Sequence, residues 1–483
     1  MIRPLASVLA GIEFESRGLL PNEIVSLVFD SRSCESGTLF FAIRGERQDG
    51  HQYVAEAFRR GAIGAVVEDW LTESPLPQIR VADTKAALSR AAANYYGDPS
   101  VGMKVVGVTG TNGKTTTVFL IHQICQAAGL SSGTIGTLGY TINREHHPLN
   151  LTTPDSLTLH SILHRMAEAS VTICAMEVSS HSLALKRAQD IHFGAAIFTN
   201  LTQDHLDYHL TMENYADAKI RLFQQVSPFG VALCNHDDPV TPRFIDSSNA
   251  PVMTYGLQSA ADYRWSQDTT SQTGIQGTII APQTTLDISC PLSGRFNLYN
   301  ILAAVALADQ LGLPHTAIRS ALKMIQGVPG RLQEIRYPGK PRIFIDYAHT
   351  PDAIINTLAA LREMVSGGAL VALFGCGGNR DKTKRPRMAA AVESLADFAI
   401  LTTDNPRDEA PQAIINDAVC GFTGRIPYIT IVDRTEAIHY ALDHFNSHDI
   451  VALLGKGHET YQEIRGQRIP YNEFQIIKDY LES

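Results

Sequence analysis

The sequence predicts an α/β protein of three domains: a small N-terminal α/β domain, a central domain with a mostly parallel sheet, and a C-terminal doubly wound domain of the Rossmann type. The chain has 483 residues, which corresponds to roughly three domains of about 150 residues each. From residue 103 onward, short apolar runs alternate with helical segments, as is typical of parallel sheets. Two linker-like segments divide the chain into residues 1–99, 100–335 and 336–483.

The first predicted domain combines short strands with one helical segment. The β-like runs lie at Ile24–Phe29 and Gly64–Val67, and the helical segment lies near Tyr53–Arg60. The domain is expected to end in a linker at Tyr96–Ser100, because the Asp-Pro step disfavours a continuing helix.

The second predicted domain begins with a strand, a glycine-rich loop and a helix. A β-rich, helix-poor stretch at 259–292 predicts an antiparallel excursion. The last clear helix ends at Gly312, with Pro314 beyond it. The predicted strands are Lys104–Val108, Val171–Met176 and Ala195–Phe198, and the predicted helices are Thr115–Ala128 and Phe296–Leu311.

A second linker precedes the third domain. Proline and glycine are dense at Pro329–Arg331 and at Arg336–Pro341. Strands then alternate with helices, which favours a doubly wound sheet. The predicted strands are Ile343–Asp346, Ala369–Phe374, Phe398–Thr402 and Ile450–Leu454.

Charge and cysteine content exclude several classes of protein. The 40 Lys and Arg against 49 Asp and Glu give a net charge of −9, which argues against a nucleic-acid-binding protein with a basic face. No window approaches about 18 uninterrupted apolar residues, and the N-terminal residues lack a signal-peptide cleavage site, so no membrane span or secretion is expected. Seven scattered cysteines without a C-x-x-C pair predict reduced thiols in the cytoplasm, with Cys376 a buried structural thiol.

The most informative motif is Gly107-Val-Thr-Gly-Thr-Asn-Gly-Lys-Thr-Thr116, between a predicted strand and a predicted helix. Glycines allow backbone N–H groups to converge on phosphate oxygens, and the helix start adds a favourable dipole. Lys114 would bring a positive charge to the terminal phosphates, and Thr115 a hydroxyl to Mg²⁺. The strict spacing would require a glycine at Val108, so the loop is a variant. The simple alternative is a glycine-rich turn, but the strand before the motif and the helix after it favour a P-loop ATPase-like domain that binds ATP.

Further blocks follow this loop in order along the chain. They are Glu177-Val-Ser-Ser-His181, Thr199–Asp207, Gly294–Asn300, Asp346–Pro351, Gly377–Asp381, Asp404-Asn-Pro-Arg407 and Gly455–Glu459. With T-G-T-N-G-K-T they resemble the Mur ligases of peptidoglycan synthesis, and the resemblance runs from Asp30 to Glu459.

The resemblance implies an ATP-dependent ligase that joins meso-diaminopimelate to UDP-N-acetylmuramoyl-L-alanyl-D-glutamate. The D-glutamate carboxylate would become an acyl phosphate, which the incoming amine attacks. By the same resemblance, the first domain binds the UDP-sugar, the second ATP and the third the amino acid. We also expect a cytoplasmic monomer that requires Mg²⁺.

The resemblance assigns catalytic roles to Lys114, Glu177, His205 and Lys219, and metal ligation to Thr115, Glu177, His205 and Lys219. An ammonium has no acceptor for a cation, so Lys219 would act as a carbamate formed with CO₂. The plain alternatives are a satisfied polar residue or helix cap at Glu177 and His205 and a solvated lysine at Lys219.

ATP is expected to contact residues of two domains. Asn297 and Asn300 lie one helical turn apart and would meet the adenine, although Asn297 could instead cap its helix. Arg331 would reach the γ-phosphate and Asp346 the ribose. Gln333 stands where the family usually has glutamate, so it is given no role. The full set is Gly110, Thr111, Asn112, Gly113, Lys114, Thr115, Thr116, Asn297, Asn300, Arg331 and Asp346.

The third domain is expected to bind meso-diaminopimelate. This substrate differs from lysine by a distal carboxylate, and a guanidinium can bind a carboxylate with two hydrogen bonds. Arg407 is therefore the predicted selectivity residue, although an isolated Asp-Asn-Pro-Arg could be a simple turn. The full set is Arg380, Asp404, Asn405, Pro406, Arg407, Gly455 and Glu459.

The nucleotide-sugar substrate is assigned to a smaller set of residues. The match is shorter here, and a capping or ion-paired role is the plain alternative for Ser31 and Arg187. The set is Ser31, Thr152, Thr153, Ser179 and Arg187.

Two other functions remain open from the sequence. A folylpolyglutamate synthetase-like ligase would share the phosphate loop and the metal residues. A regulatory module that hydrolyses ATP without ligation would release phosphate independently of both acceptor substrates.

Overall fold

The protein is described by a computed structural model that covers residues 1–45, 48–258, 260–271 and 274–482. Three large sheets of five, eleven and six strands follow one another along the chain, with helices packed on them. The predicted three-part α/β fold is confirmed. None of the helices in the described ranges is long and apolar enough to cross a membrane.

The N-terminal unit is small and mixed. Its helices are α1 (Leu5–Val8), α2 (Val54–Arg59) and α3 (Thr84–Tyr96), and its strands are β1 (Arg3–Pro4), β2 (Glu15–Arg17), β3 (Glu23–Ile24), β4 (Ser26–Val28), β5 (Thr38–Phe41), β6 (Ala62–Val67) and β7 (Gln78–Arg80). The five-stranded sheet has the order β2-β7-β6-β5-β4, and only its β2–β7 pair is antiparallel among the described residues. Asp83 caps α3 by accepting from two backbone N–H groups.

The central unit carries the eleven-stranded sheet. Its strands are β8 (Lys104–Thr109), β9 (Ser132–Gly136), β10 (Gly139–Ile142), β11 (Glu145–His147), β12 (Ile173–Glu177), β13 (Phe193–Phe198), β14 (Val226–Asn235), β15 (Val252–Gly256), β16 (Tyr263–Ser271), β17 (Gly274–Ala281) and β18 (Thr284–Cys290). Its helices are α4 (Lys114–Ala127), α5 (Ser156–Glu168), α6 (Ser180–Ala184), α7 (Leu206–His209), α8 (Met212–Gln224), α9 (Thr241–Ser247), α10 (Phe296–Gln310) and α11 (His315–Met324).

The middle of this sheet is parallel and its two ends are antiparallel. The order is β11-β10-β9-β12-β8-β13-β14-β15-β16-β17-β18, with antiparallel pairing in β11-β10-β9 and β16-β17-β18. The second of these confirms the antiparallel excursion. Because parallel strands end at the same edge, the loops after β8, β12 and β13 meet there.

The C-terminal unit carries the six-stranded sheet. Its strands are β19 (Gln333–Ile335), β20 (Arg342–Asp346), β21 (Leu370–Phe374), β22 (Phe398–Leu401), β23 (Tyr428–Thr430), β24 (Ile450–Leu454), β25 (Tyr461–Ile464) and β26 (Gln467–Pro470). Its helices are α12 (Pro351–Arg362), α13 (Lys384–Leu395), α14 (Pro411–Val419), α15 (Arg434–His444) and α16 (Glu473–Glu482). The order is β19-β20-β24-β21-β22-β23, and β25 and β26 form a separate hairpin.

The second predicted domain boundary needs an adjustment. Strand β19 lies before residue 336, yet it pairs antiparallel with β20 of the third sheet. Sheet membership therefore favours a boundary just before Gln333. The division at 99/100 stays a prediction. Cys376 is buried, and burial raises the pKa of its thiol to about 12, as expected of an unreactive structural cysteine.

The C-terminal unit also contains a fully buried ion pair. Arg434 Nε donates to Glu473 Oε1 at 2.7 Å, with side-chain exposures of 0% and 1%. Removing one partner leaves a buried charge uncompensated, so Glu473→Ala is expected to lower the free energy of unfolding by about 3–5 kcal/mol. The double variant Arg434→Met/Glu473→Leu should recover most of that loss. Denaturant unfolding of the three proteins measures both effects, and a double variant no more stable than Glu473→Ala would contradict this reasoning.

Candidate active site

A cavity of about 670 Å³ lies between the central and C-terminal units. Most of the predicted site residues line it: Thr111, Asn112, Gly113, Lys114, Thr115, Thr116, Thr152, Glu177, Ser179, His205, Asn300, Arg331, Asp346, Arg380, Asp404, Asn405, Arg407, Gly455 and Glu459. The predicted residues outside this lining are Ser31, Gly110, Thr153, Arg187, Lys219, Asn297 and Pro406. The structure thus brings the phosphate loop and the predicted amino-acid pocket to one space.

The phosphate loop joins β8 to α4 through two glycines in left-handed conformations. Gly110 has φ 145° and Gly113 has φ 88°. A Cβ atom at Gly110 would collide with Thr199 Oγ1, and one at Gly113 with Asn300 Oδ1. Both positions therefore require glycine for conformation and for space.

Lys114 begins α4 and its side chain folds back over the loop. Its Nζ donates to the carbonyl oxygens of Gly110 at 2.9 Å and Thr111 at 2.8 Å. Burial lowers the pKa of Lys114, whereas the carboxylates of Glu177 and Asp204 oppose that shift. Within the described residues the ammonium donates to carbonyl oxygens and not to a carboxylate, which suits a side chain that meets phosphates.

Glu177, at the end of β12, is held in place beside the loop. The backbone N–H of Thr137 donates to Oε1 at 2.8 Å and its hydroxyl donates to Oε2 at 3.0 Å. Thr115 Oγ1 donates to Oε2 at 3.1 Å. Arg331, which comes from beyond the central sheet, donates through Nη2 to Thr115 Oγ1 at 3.0 Å. A carboxylate, a hydroxyl and a guanidinium therefore meet at one point.

Lys219 lies on α8 beneath the same loop. It is 1% exposed. Its Nζ donates to Gly110 O at 2.8 Å and lies 4.5 Å from the ring centroid of Tyr215. Burial and the nearby charge of Lys114 hold the pKa of Lys219 well below its ordinary value. The predicted alternative of a solvated surface lysine is therefore wrong.

His205 belongs to a cluster that joins the two units. Its Nε2 lies 3.3 Å from Asp204 Oδ2, and Asp204 also pairs with Lys384 of α13. Burial lowers the pKa of His205, whereas the neighbouring Asp204 carboxylate opposes that shift. The His205 ring also packs against His181, with 4.7 Å between the ring centroids. His205 lines the cavity, and its polar partner within the described residues is Asp204 rather than Glu177.

The donor set can be tested against magnesium. Within the described ranges, no group of three or more His, Cys, Asp and Glu side chains could hold a metal ion by itself. Magnesium is usually bound by one or two protein oxygens together with phosphate oxygens and water. The adjacent oxygens of Thr115 and Glu177 fit that pattern.

The residues assigned to the nucleoside have partners of their own. Asn300 Nδ2 donates to Asn297 Oδ1 at 2.8 Å, and Asn297 Nδ2 donates to Ser293 O at 2.7 Å. Asn297 lies inside α10, whose N-cap is Arg295, so the capping alternative is wrong. Asp346 accepts from the backbone N–H groups of Leu332 and Ala348, at 2.7 Å and 2.8 Å.

The predicted amino-acid pocket is a network of polar side chains. Asn405 Nδ2 donates to Glu459 Oε2 at 2.9 Å. The buried Lys456 Nζ donates to Glu459 Oε2 at 2.9 Å and to Asn405 Oδ1 at 3.1 Å. Arg380 is exposed in the cavity and forms no hydrogen bond or ion pair with the described part of the chain. Hydrogen-bonded carboxylate and amide groups and an exposed guanidinium therefore line the same space.

The residues assigned to the nucleotide-sugar lie in two separate parts of the structure. Ser179 caps α6 and receives a hydrogen bond of 3.3 Å from Thr153, whose carbonyl accepts from Arg187 Nη1 at 3.1 Å. Thr152 lies beside them, with its hydroxyl 3.1 Å from that of Thr137. Ser31 lies apart in the N-terminal unit, where it donates to Glu56 Oε2 at 3.0 Å. The capping or ion-paired alternative for Ser31 and Arg187 is wrong: in the described part of the chain neither caps a helix nor forms an ion pair, and each donates a hydrogen bond instead.

Several residues that bond to predicted site residues or to other residues around the cavity were missed. They are Thr137, Asp352, Lys384, Lys456 and Glu463. Lys456 stands inside the quoted Gly455–Glu459 block, so its position was a usable signal. The others are recognised only through their partners in space.

Together, a phosphate loop, a carboxylate at a strand end and cations from two units define a nucleotide-dependent enzyme that can act on two anionic partners. Three sequence models match the chain: "Mur ligase family, catalytic domain" at residues 23–96, "Mur ligase middle domain" at 108–308, and "Mur ligase, glutamate ligase domain" at 330–457. The chain belongs to the Mur ligase family.

Similar proteins support membership of the same family. The chain is 39% identical over 479 residues to the UDP-N-acetylmuramoyl-L-alanyl-D-glutamate–2,6-diaminopimelate ligase of Caldanaerobacter subterraneus, covering 99% of this chain and 98% of that one. A solved structure of a ligase of that name has a TM-score of 0.70 and 33% identity, over 100% of this chain and 99% of the other. A folylpolyglutamate synthase of Mycobacterium tuberculosis shares the fold alone, with a TM-score of 0.63 and 19% identity over 76% of this chain and 91% of that one.

Proposed function

We propose that the protein is an ATP-dependent ligase that adds meso-diaminopimelate to the D-glutamate carboxylate of UDP-N-acetylmuramoyl-L-alanyl-D-glutamate, in the synthesis of peptidoglycan precursors. One observation carries this proposal: the phosphate loop with Lys114 and the pocket with Arg407 line a single cavity. A nucleotide and an amino acid can therefore meet there. The relative from Caldanaerobacter subterraneus, named for this reaction, covers nearly the whole chain.

The chain's own cations account for the first half of the reaction. Phosphoryl transfer brings an ATP γ-phosphate to a carboxylate, so negative charge must be offset. Lys114 and Arg331 both border the phosphate loop and would hold the terminal phosphates. Thr152 and Ser179 line the cavity on the side of Glu177, where the dipeptide carboxylate would lie.

Magnesium would be held by Thr115 and Glu177, with His205 and a modified Lys219 as further ligands by family resemblance. When bound, it supplies positive charge that offsets the repulsion between phosphates and carboxylate. Thr137 keeps the Glu177 carboxylate pointed at Thr115 through its two hydrogen bonds.

The amino-acid side of the cavity accounts for the second half. The acidic and amide groups of Asp404, Asn405 and Glu459 would hold an ammonium of diaminopimelate, and Arg407 and Arg380 its carboxylates. The attacking amine must then be neutral when it displaces phosphate from the acyl phosphate. A cavity enclosed by two units limits the access of water to that intermediate.

The compartment and the assembly are part of the same proposal. We expect the enzyme in the cytoplasm, because all seven cysteines are free and six of them are buried. We expect a monomer, because one chain supplies both the phosphate loop and the amino-acid side of the cavity.

A phosphate-release assay tests the reaction directly. The wild-type chain receives ATP, Mg²⁺ and UDP-N-acetylmuramoyl-dipeptide, with meso-diaminopimelate, L-lysine or no amine. We expect release that depends on the dipeptide substrate and is fastest with meso-diaminopimelate. Release without either acceptor would instead support an ATP-hydrolysing module, and release with a folate and glutamate would support a folylpolyglutamate synthetase.

We also propose that Lys219 is carbamylated. Its amine is buried and has a lowered pKa. Within the described residues it donates to a carbonyl oxygen and not to a carboxylate. A neutral amine is the form that reacts with CO₂, and the resulting carbamate gains oxygen acceptors. The modification would also remove the like charge that Lys114 faces.

Replacement of Lys219 gives a measurable consequence. Lys219→Ala should lower kcat by about 10²-fold or more, because a ligand and its orienting contacts are lost. Short carboxylic acids such as formate or acetate should restore part of that activity by supplying the missing oxygens. The exposed Lys104→Ala variant is the matched control for loss of a lysine. Undiminished activity in Lys219→Ala would reject the role.

A further inference from the structure

The hairpin β25–β26 supports the backbone of Arg407. Arg407 has φ 53°, and its N–H donates to Glu463 O at 3.0 Å. Its carbonyl accepts from Arg465 N at 2.8 Å. The Asp-Asn-Pro-Arg turn is therefore joined to the β25–β26 hairpin by main-chain hydrogen bonds on both sides of Arg407.

The same hairpin supplies a carboxylate to the Arg407 side chain. Nε donates to Glu463 Oε2 at 2.9 Å, and Nη1 donates to Gly378 O at 2.7 Å. A guanidinium carries five N–H donors, so these two bonds leave three, including both on Nη2. The side chains of Arg407 and Glu463 are 20% and 32% exposed. Arg407 thus has a carboxylate partner within its own chain and three N–H donors left for another.

We propose that Glu463 is a specificity-determining residue: its carboxylate sets how strongly Arg407 distinguishes an amino acid with a distal carboxylate from one without. The inference rests on the proposed function and deepens it. Glu463 is absent from the cavity lining, so it acts through Arg407 and is a positioning residue.

The physical effect has opposite signs for the two kinds of amino acid. A distal carboxylate that binds the free Nη2 edge becomes the second carboxylate on one guanidinium, and the two repel each other. An amino acid without that carboxylate, such as L-lysine, places only its distal ammonium near Arg407. Glu463 then offsets the repulsion between the two cations. Glu463 therefore weakens binding of diaminopimelate and eases binding of lysine.

A merely structural role for Glu463 is separable from this one. Its backbone N–H donates to Asn405 Oδ1 at 2.9 Å and its carbonyl accepts from Arg407 N. Both main-chain contacts persist when only the side chain changes. Glu463→Gln keeps an oxygen that can accept from Nε and removes only the charge, whereas Glu463→Ser shortens the side chain and leaves Gly378 O as the partner of Arg407.

The test measures steady-state kinetics of the full-length protein with ATP and UDP-N-acetylmuramoyl-dipeptide. For Glu463→Gln we expect KM for meso-diaminopimelate to fall about fivefold with kcat unchanged, the size expected of a partly screened charge pair. The inhibition constant of L-lysine against meso-diaminopimelate should rise by a similar factor. Glu463→Ser should shift both constants in the same directions. Glu363→Gln, an exposed glutamate of the same unit, is the matched control and should change neither.

The outcomes separate this inference from the proposed function. If the wild-type chain ligates meso-diaminopimelate and the charge-neutral variants keep both constants, or raise KM for meso-diaminopimelate, the role of Glu463 is overturned and the proposed function stands. A wild-type chain that ligates neither amine overturns the proposed function, and the role of Glu463 with it. Melting temperatures of all variants establish that the folded protein is being compared.

Discussion

Lys114→Ala is expected to abolish measurable ligation, with a fall in kcat of about 10³-fold or more. Its ammonium is the charge carried by the phosphate loop itself, and preorganised charges of this kind act mainly on the transition state. Among the described residues its ammonium donates hydrogen bonds only to the carbonyls of Gly110 and Thr111. No carboxylate of the described residues accepts a hydrogen bond from Lys114, so none competes with phosphate for the ammonium in that way.

The same substitution should cost little stability. Burial lowers the pKa of Lys114, and its charge also lowers that of the neighbouring Lys219. Removing an ammonium whose charged form burial disfavours offsets the loss of its two hydrogen bonds. The measurement is kcat by coupled ADP release together with a thermal melt, using the exposed Lys104→Ala as the matched control. A variant that keeps more than a tenth of the wild-type kcat would remove Lys114 from the catalytic machinery.

Arg407→Ala is expected to raise KM for meso-diaminopimelate about 100-fold, with a smaller effect on kcat. Truncating one side of a desolvated charge pair typically costs 2–5 kcal/mol, roughly 30-fold or more in affinity. Arg407 has a positive φ that alanine tolerates no worse than arginine, so backbone strain is not added. Discrimination against L-lysine should largely disappear, because lysine makes no use of the guanidinium.

The control for this prediction is Arg425→Ala, which removes an exposed arginine from the same unit. Its KM values should match those of the wild type. Arg407→Lys separates charge from geometry, because an ammonium cannot form the planar two-bond contact. If KM for meso-diaminopimelate stays within threefold of wild type in Arg407→Ala, the distal carboxylate binds elsewhere, and the exposed Arg380 becomes the residue to test.

The elements nearest the phosphate loop were the most predictable. The strand at Lys104–Val108 and the helix at Thr115–Ala128 were predicted within one or two residues of β8 and α4. Their signals are local: an apolar run, a glycine-rich loop and a helical period adjoin one another in sequence. Glu177 could be predicted from the sequence for a related reason. It ends a buried parallel strand, and the ends of such strands meet at one edge of the sheet.

The second domain boundary was less predictable. The Pro/Gly-rich segments indicated a linker, but β19 lies between them and completes the third sheet. A short three-residue strand has too little pattern to be recognised without its partner. Sheet pairing between distant segments decides such cases, and a single sequence carries no record of it.

The sequence by itself determined the family and the phosphate loop and predicted a set of site residues, most of which line the cavity, because each is carried by a short contiguous motif. Only the tertiary structure decided which of them touch. Arg331 reaches Thr115, Lys384 reaches Asp204, and Glu463 reaches Arg407 across 216, 180 and 56 residues of chain. Such contacts depend on how separate units pack, and side-chain geometry and burial, rather than local sequence, then fix the charge on each group.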